Sequence, residues 1–248
     1  KHRDSQAPEV TMTATAKPYA LKNRLLAALP REEYKRLQPH LELVHLSTRR
    51  TLSEAGDLIR HTYFLNSGMG SLLALTQGGA TVEIAMVGNE GMLGLPVVLR
   101  AHTAPYRIMI QMPADAMRIK AEVLRAEFNR GGELQDLLLS YTHALITQIS
   151  QSAVCNRFHT MEKRLCRWLL IAHDRVDGDT FHLTQEIISY MMGAPRTGVT
   201  MAAGTLQDAG LIRYKRGKIT IIDRHGLEDA ACECYTIVAQ SLNDFLAA

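Results

Sequence analysis

The chain has 248 residues, of which 46% are hydrophobic, and its formal net charge is only +3. This length allows two compact domains or one large domain. No apolar run approaches the roughly 18 residues that a membrane-spanning helix needs, and residues 1–20 lack the apolar core of a secretory signal. We therefore predict a cytoplasmic protein with no membrane partner, in which residues 1–20 form a disordered tail.

The first half of the chain has the pattern of a β-roll. After short helices within residues 21–41, six short apolar or alternating segments are separated by glycine-bearing turns. Many short strands at near-regular spacing predict a sandwich or roll. The predicted strands are Leu41–Leu46, Thr62–Leu65, Ser71–Leu75, Thr81–Met86, Tyr106–Met112 and Ala116–Ile119. The pair Gly78-Gly79 predicts a hairpin between two of them, and a short helix follows from Ala121.

A long helix without glycine or proline is predicted from Glu133 to about His159. One apolar stripe contains Leu134, Leu138, Tyr141 and Leu145, and a second contains Leu139, Ile146, Ile149 and Ala153. A helix with two apolar faces needs two partners, here the roll and the same helix of a second subunit. The alternative is a helix in the centre of a monomeric core. We predict a homodimer with an interface formed by Leu134, Leu138, Tyr141, Leu145 and Ile149.

The stretch Leu183–Ile222 has the order of a winged helix-turn-helix. A short helix capped by Thr184 leads to a turn at Gly193, a second helix from Arg196 to about Asp208, and two strands joined by Arg216-Gly217. The exposed start of the second helix would read bases, and basic residues would bind phosphates. The base-reading candidates are Arg196, Thr197, Thr200 and Met201. The phosphate-binding candidates are Thr184, Arg213, Lys215, Arg216 and Lys218. The alternative is an ordinary surface helix beside a solvated basic hairpin.

The helix-turn-helix is flanked by two further predicted helices. Met161–Asp174 precedes it, and a closing helix spans Gly226–Leu246. Apolar residues recur at helical spacing along the closing helix and would form its buried face. These residues are Leu227, Ala231, Cys234, Val238, Leu242 and Phe245.

Three motifs resemble the cyclic-AMP receptor protein/FNR (Crp/Fnr) superfamily of transcription regulators. They are LTQEIISYMMGAPRTGVTMAAGTLQDAGLI, LNSGMGSLLAL and VGNEGMLGLP. The resemblance implies an α+β protein with an N-terminal cyclic-nucleotide-binding-like β-roll (jelly roll), a long dimerisation helix and a C-terminal winged helix-turn-helix. The implied boundaries are 21–132 for the effector domain, 133–160 for the dimerisation helix and 161–248 for the DNA-binding domain.

The chain departs from that family at the residues that hold cyclic AMP. The family's cyclic-AMP binders carry Gly-Glu-Leu-Gly-Leu and, further on, Arg-Ser-Ala. Here Met92 replaces the ribose-binding Glu, and His102-Thr103 replaces the Arg-Ser pair that holds the phosphate. A thioether and a neutral imidazole lack the charge-assisted contacts of a carboxylate and a guanidinium. We expect a degenerate effector pocket that does not bind cyclic AMP, formed by Gly91, Met92, Leu93, Gly94, His102 and Thr103.

The cysteines leave a second functional hypothesis open. FNR-type sensors hold an iron–sulfur cluster with N-terminal cysteines, and this chain has none before Cys155. We therefore predict no iron–sulfur, haem or metal cofactor. The alternative is an effector-sensing or redox/metal-sensing protein that uses Cys155, Cys166, Cys232 and Cys234. Cys155 and His159 share one helix face, and Cys232-Glu233-Cys234 offers two further thiols.

No catalytic motif is present: the chain has no P-loop, zincin motif or nucleophile elbow. The sequence therefore predicts a protein that is not an enzyme and has no catalytic residues. The expected function is that of a homodimeric regulator that binds a two-fold symmetric site on double-stranded DNA. RNA polymerase is a further expected partner.

Overall fold

The computed structural model describes residues 22–247. The predicted tail at residues 1–20 lies outside this range. Within it, none of the helices is both long and apolar enough to cross a membrane. The described residues form a β-roll, a long helix and a helical C-terminal half that also carries a small sheet.

The roll consists of two antiparallel four-stranded sheets that enclose an apolar core. Its strands are β1 (Glu42–Leu46), β2 (Thr51–Ser53), β3 (His61–Leu65), β4 (Met69–Leu75), β5 (Thr81–Val87), β6 (Met92–Leu93), β7 (Arg107–Met112) and β8 (Ala114–Lys120). One sheet has the order β1-β8-β3-β6 and the other β2-β7-β4-β5. Strands far apart in sequence are therefore neighbours, as in a jelly roll.

All six strands predicted from the sequence are present, with shifts of one or two residues at their ends. β2 and β6 were not predicted because strands of three and two residues are too short to show a period of two. The predicted hairpin at Gly78-Gly79 joins β4 to β5, with Leu75 paired to Thr81. Gly79 has a φ of 84°, a conformation that glycine adopts without steric cost.

Three short helices flank the roll: α1 (Arg24–Ala28), α2 (Arg31–Leu37) and α3 (Ala121–Phe128). The buried side chain of Asn23 caps α1 by accepting a hydrogen bond from the backbone of Leu26. Its amide nitrogen donates to the carbonyls of Leu65 and Gly91, both at 2.8 Å. One buried asparagine therefore fixes α1 to the loop that precedes β6.

The long helix, α4 (Glu133–Phe158), begins without a capping side chain of its own. The carboxylate of Glu33 in α2 accepts hydrogen bonds from the backbone amides of Glu133 and Leu134, at 3.2 and 2.8 Å. A carboxylate at this end also interacts favourably with the helix dipole. The start of α4 is therefore held by a residue about a hundred positions earlier, which no local pattern could reveal.

The C-terminal half continues with helices and a three-stranded antiparallel sheet of order β10-β11-β9. Its elements are α5 (Met161–His173), β9 (Thr180–His182), α6 (Gln185–Met192), α7 (Arg196–Asp208), β10 (Ile212–Lys215), β11 (Lys218–Ile221), α8 (Arg224–Ala230) and α9 (Cys234–Ala247). β9 was not predicted; it is three residues long and pairs with β11.

The prediction of one closing helix over Gly226–Leu246 was wrong. The helix is broken at residues 231–233 into α8 and α9. The two parts pack on different partners, since α8 contacts α5 whereas α9 lies along α4. Leu227, Cys234, Val238 and Phe245 are buried as expected, and Ala231 and Leu242 are partly buried. Tertiary packing has overridden a continuous helical periodicity.

Buried polar contacts join the roll to the C-terminal half. The indole nitrogen of Trp168 in α5 donates to Glu83 Oε1 in β5 at 2.8 Å. The guanidinium of Arg175 forms a buried ion pair with Glu90 at 2.8 Å. Breaking a buried pair on one side costs about 3–5 kcal/mol, because a charge is then left without a partner. These contacts resist separation of the helix-turn-helix from the roll.

Candidate nucleic-acid interface and effector surface

The helix-turn-helix is formed by α6, the turn at Gly193 and α7. The hydroxyl of Thr184 caps α6 by accepting a hydrogen bond from the backbone of Ile187 at 3.3 Å. Gly193 ends α6 with a φ of 56°. Pro195 then precedes the first residue of α7, where its fixed φ favours the start of a helix. Local sequence therefore determines both the turn and the direction in which α7 leaves it.

The recognition helix α7 has one buried and one exposed face. Its buried face contains Val199, Ala202, Ala203 and Leu206. The structure places all four base-reading candidates on the exposed face: Arg196, Thr197, Thr200 and Met201. Met201 is 73% exposed, which is unusual for so large an apolar side chain. This face offers one cation, two hydroxyls and one thioether.

Thr200 is linked to a residue that the sequence did not single out. Its hydroxyl lies 2.9 Å from Gln185 Oε1 and 2.8 Å from the carbonyl oxygen of Arg196. Gln185 is the first residue of α6, so this contact connects the starts of the two helices. The one sequence signal for Gln185 is its place at the start of a helix beside the predicted base-reading surface.

The wing consists of β10, β11 and the turn Arg216-Gly217 between them. Both turn residues have positive φ, 51° and 73°, as in the tight turns that suit β-hairpins. The structure places the phosphate-binding candidates on the surface: Thr184, Arg213, Lys215, Arg216 and Lys218. Among residues 22–247, neither the four basic wing residues nor Arg196 forms an ion pair. The surface thus has unneutralised positive charge.

The predicted effector residues do not surround one cavity. Met92 and Leu93 are fully buried in the core of the roll. Gly94 lines a cavity of about 370 Å³ whose wall also includes Arg60 and His61. His102 is exposed and lines a neighbouring depression of about 380 Å³. Met92 and His102 therefore do not line a common cavity in the described part of the chain.

Two other effector candidates have structural contacts. A Cβ atom added at Gly91 would lie 2.4 Å from the hydroxyl of Tyr141 in α4, so only glycine fits there. That hydroxyl donates to the carbonyl of Met92 at 3.2 Å, and burial raises the pKa of Tyr141 well above its usual range. Thr103 is exposed and bridges to Leu58. The segment from Gly91 to Met92 is thus a packing contact with α4.

Four of the five predicted dimerisation residues lie inside the chain's own core. These are Leu134, Leu138, Tyr141 and Leu145; Ile149 is partly buried against the same core. They contact the roll and α9, so they are not available to a second subunit. The exposed apolar residues of α4 are instead Leu139, Ile146, Val154 and Phe158. The sequence showed both stripes but gave no sign of which one the roll and α9 would cover.

The comparisons with known proteins agree with this architecture. Residues 163–230 match the family model of the Crp-like helix-turn-helix domain. Residues 163–230 are therefore a Crp-like helix-turn-helix domain, and the chain as a whole is similar to Crp/Fnr transcription regulators. A global nitrogen regulator from Nostoc is 23% identical over 181 residues, which cover 69% of this chain and 81% of that protein.

Solved structures share the fold of this chain over most of their length. FixK2 from Bradyrhizobium japonicum superimposes with a TM-score of 0.67 at 13% identity, over 77% of this chain and 98% of that one. TTHB099 from Thermus thermophilus, a transcriptional regulator of the CRP family, gives 0.63 at 16% identity, over 76% and 96%. At this identity the likeness concerns the fold, including roll, long helix and helix-turn-helix.

The fold also brings together cysteines that are distant in sequence. Cys155 near the end of α4 meets Cys232 and Cys234 at the start of α9. His159 joins these three thiols, whereas Cys166 lies outside the group. Cys155 and His159 were expected to share a helix face, and Cys232 and Cys234 were recognised as a pair. Only the fold shows that the two pairs meet.

Proposed function

We propose that this Crp/Fnr regulator binds a two-fold symmetric DNA site as a homodimer and reads sequence with α7. The observation that carries the proposal is the exposed start of α7 beside a wing whose four cations form no ion pair within residues 22–247. Arg196 would hydrogen-bond guanine, and the two threonines and Met201 would contact neighbouring bases or a thymine methyl. The wing residues would neutralise phosphates.

The proposed domain division follows the sequence expectation: 21–132 for sensing, 133–160 for dimerisation and 161–248 for DNA binding. The exposed stripe of α4 supports the dimer. Leu139, Ile146, Val154 and Phe158 are 40–73% exposed in the single chain, and their helical spacing would form one seam against the same helix of a partner. A dimer would place two copies of α7 in successive major grooves, about 34 Å apart.

The sensor is proposed to respond to something other than cyclic AMP. Met92 is buried, and His102 lies outside the cavity beside Gly94. The charged and polar residues that line that cavity lie outside the family motif: Ser53, Asp57, Arg60, His61 and Tyr63. We further propose that the protein acts in the cytoplasm, together with RNA polymerase, and has no catalytic activity.

The experiment is a fluorescence-anisotropy titration of purified protein with genomic DNA fragments at several salt concentrations, followed by footprinting. We expect a sequence-preferring, salt-sensitive complex that protects two half-sites about one helical turn apart. If every fragment binds with the same affinity as scrambled DNA of equal length, the proposal of sequence-specific regulation fails. Cyclic AMP is added in parallel and is expected to leave both the affinity and the melting temperature unchanged.

A further inference from the structure

Three thiols and one imidazole converge where the long helix ends. We call Cys155, His159, Cys232 and Cys234 the thiol cluster. The sulfur atoms of Cys155 and Cys232 are 3.6 Å apart, and the sulfur of Cys234 is 3.6 Å from His159 Nδ1. All four potential ligand atoms lie within 4.8 Å of one another.

These distances match a tetrahedral metal site. Zinc binds thiolate sulfur at roughly 2.3 Å and imidazole nitrogen at roughly 2.0–2.1 Å, so ligand atoms at the corners of the tetrahedron are roughly 3.3–3.8 Å apart. The two contacts of 3.6 Å fall within this range. A polynuclear iron–sulfur cluster places several irons and sulfides between its ligands and needs them further apart. The thiol cluster has room for one ion.

The burial of the cluster indicates a closed site without a water ligand. Cys155, Cys232 and Cys234 are at most 4% exposed. They form an apolar group of their own, separate from the two large cores. Structural zinc sites are closed by four protein ligands, and three cysteines with one histidine is one of their usual sets.

The imidazole of His159 also has the second polar contact that a metal-binding histidine usually makes. Its Nδ1 faces Cys234, while its Nε2 lies 3.3 Å from Glu233 Oε1. A carboxylate on the second nitrogen of a ligating histidine fixes the tautomer and orients the ring. Arg167 interacts electrostatically with the thiols of Cys155 and Cys234. A zinc ion with three thiolates has a net charge of −1, which this buried guanidinium would balance.

The local backbone also has the form that such a site requires. On a continuous helix, residues two apart point in different directions and could not both reach one ion. The helix is interrupted at residues 231–233, and the interruption directs both Cys232 and Cys234 towards Cys155. The break that the sequence did not predict is therefore what assembles the ligand set.

We propose that the thiol cluster binds one zinc ion through Cys155, His159, Cys232 and Cys234. Binding replaces the three thiol protons, which pass to solvent, and involves no change of oxidation state. The ion would join the last turn of α4 to the start of α9. His159 directly follows α4, and Thr160 caps α5. The site therefore lies at the junction between the long helix and the DNA-binding half, where it would fix their relative orientation.

The first test uses full-length protein purified under reducing conditions without chelators. Elemental analysis is expected to find one zinc per chain. After removal of the metal, titration with Co²⁺ is expected to produce thiolate-to-cobalt charge transfer in the near ultraviolet and the visible bands of tetrahedral cobalt. This measurement needs no variant, so it remains decisive even if a substitution prevents folding.

The second test compares variants. Cys232→Ser and His159→Ala are expected to lose the zinc and the charge-transfer signal, whereas Cys166→Ser retains both, since it removes a buried thiol outside the cluster. Glu233→Gln is expected to lower zinc affinity about tenfold, the lower end of the range for outer contacts, because this side chain is 66% exposed. Circular dichroism checks that each variant is folded.

Three results would overturn the proposal. The first is folded, reduced wild-type protein that shows no thiolate-to-cobalt signal on titration. The second is iron with acid-labile sulfide in anaerobically purified protein. The third is a disulfide between Cys155 and Cys232 in protein purified under reducing conditions. None of these results bears on DNA binding, so the proposed function is tested separately.

Discussion

Arg196 is the one cation on the exposed face of α7, and in the proposed complex base discrimination should depend on it most. Its side chain has no ion-pair partner in the described part of the chain, so its donors are available to a base edge. We expect Arg196→Ala to weaken binding to the specific site by about 1–3 kcal/mol and to relax selectivity at one position in each half-site. Anisotropy titrations against a set of single-base variants of the site measure both effects.

Arg216 at the tip of the wing provides the matched control. Arg216 is proposed to contact a phosphate rather than a base, so Arg216→Ala should lower affinity by a similar factor on specific and random DNA. The slope of log K against log salt should become less steep by about 1. Equal losses on all sequences for Arg196→Ala would show that Arg196 is a phosphate contact too.

The burial of Glu83 should make the stability of the folded protein depend on pH. Desolvation raises the pKa of its carboxyl group to about 7, although hydrogen bonds from Ser71 and Trp168 and the charges of Arg167 and Arg175 oppose the rise. In the unfolded chain the group ionises near its ordinary pKa of 4.5. As pH rises from 4.5 to about 7, the unfolded state therefore loses its proton first, and the folded state becomes relatively less stable.

Glu83→Gln removes this titration and retains an oxygen that can accept from Trp168. We expect the variant and the wild type to have similar free energies of unfolding near pH 4. Above about pH 7 the variant should be more stable by a few kcal/mol, following roughly 1.4 kcal/mol per unit of pKa shift. Urea titrations at a series of pH values measure the difference, and a difference that stays constant with pH would contradict a titrating Glu83.

The base-reading candidates could be predicted from the sequence, but residues whose contacts are distant in sequence could not. Arg196, Thr197 and Thr200 could be assigned to an exposed face because helical spacing and the apolar positions of α7 define its orientation. Gln185 and Glu83 could not be found in this way. Gln185 contacts Thr200, 15 residues away, and Glu83 contacts Trp168, 85 residues away. Helical or strand periodicity does not predict which distant residues meet.

At the scale of elements, the long helix α4 presents two apolar stripes with different partners. Leu138 lies in the buried stripe and is fully covered by its own chain, whereas Ile146 in the other stripe is 57% exposed. The sequence showed both stripes, but their assignment depends on where α9 packs. That in turn depends on the break at residues 231–233, which apolar periodicity did not show.

Substitutions on the two stripes should have opposite effects. Ile146→Glu places a charge in the proposed dimer seam and should yield a folded monomer, measured by light scattering and near-ultraviolet circular dichroism. Leu138→Ala should leave the dimer intact and lower the free energy of unfolding by about 2–5 kcal/mol, because it creates a cavity in the core. If Ile146→Glu remains dimeric at low concentration, the exposed stripe is not the interface.

For the molecule as a whole, α5 is one of the elements through which the DNA-binding half contacts the roll. Trp168 contacts Glu83 of the roll, and Arg175 just beyond α5 pairs with Glu90. The same Glu90 accepts from the backbone of Gly88, close to the segment that packs on Tyr141. A ligand that altered this segment would therefore act on both α4 and α5.

The turn of the helix-turn-helix rests against the roll. A Cβ atom at Gly193 would lie 3.1 Å from both the carbonyl of Thr81 and the Cβ of Val82. Asparagine tolerates the backbone conformation of Gly193, yet its Cβ would require the hairpin to move away by a few tenths of an ångström. In evolutionary terms, a side chain at 193 should therefore appear together with a β4–β5 hairpin that lies slightly farther from the turn, because a carbonyl oxygen at 81 and a Cβ at 82 are present with almost any residue there. The length of the β4–β5 hairpin should vary little for the same reason.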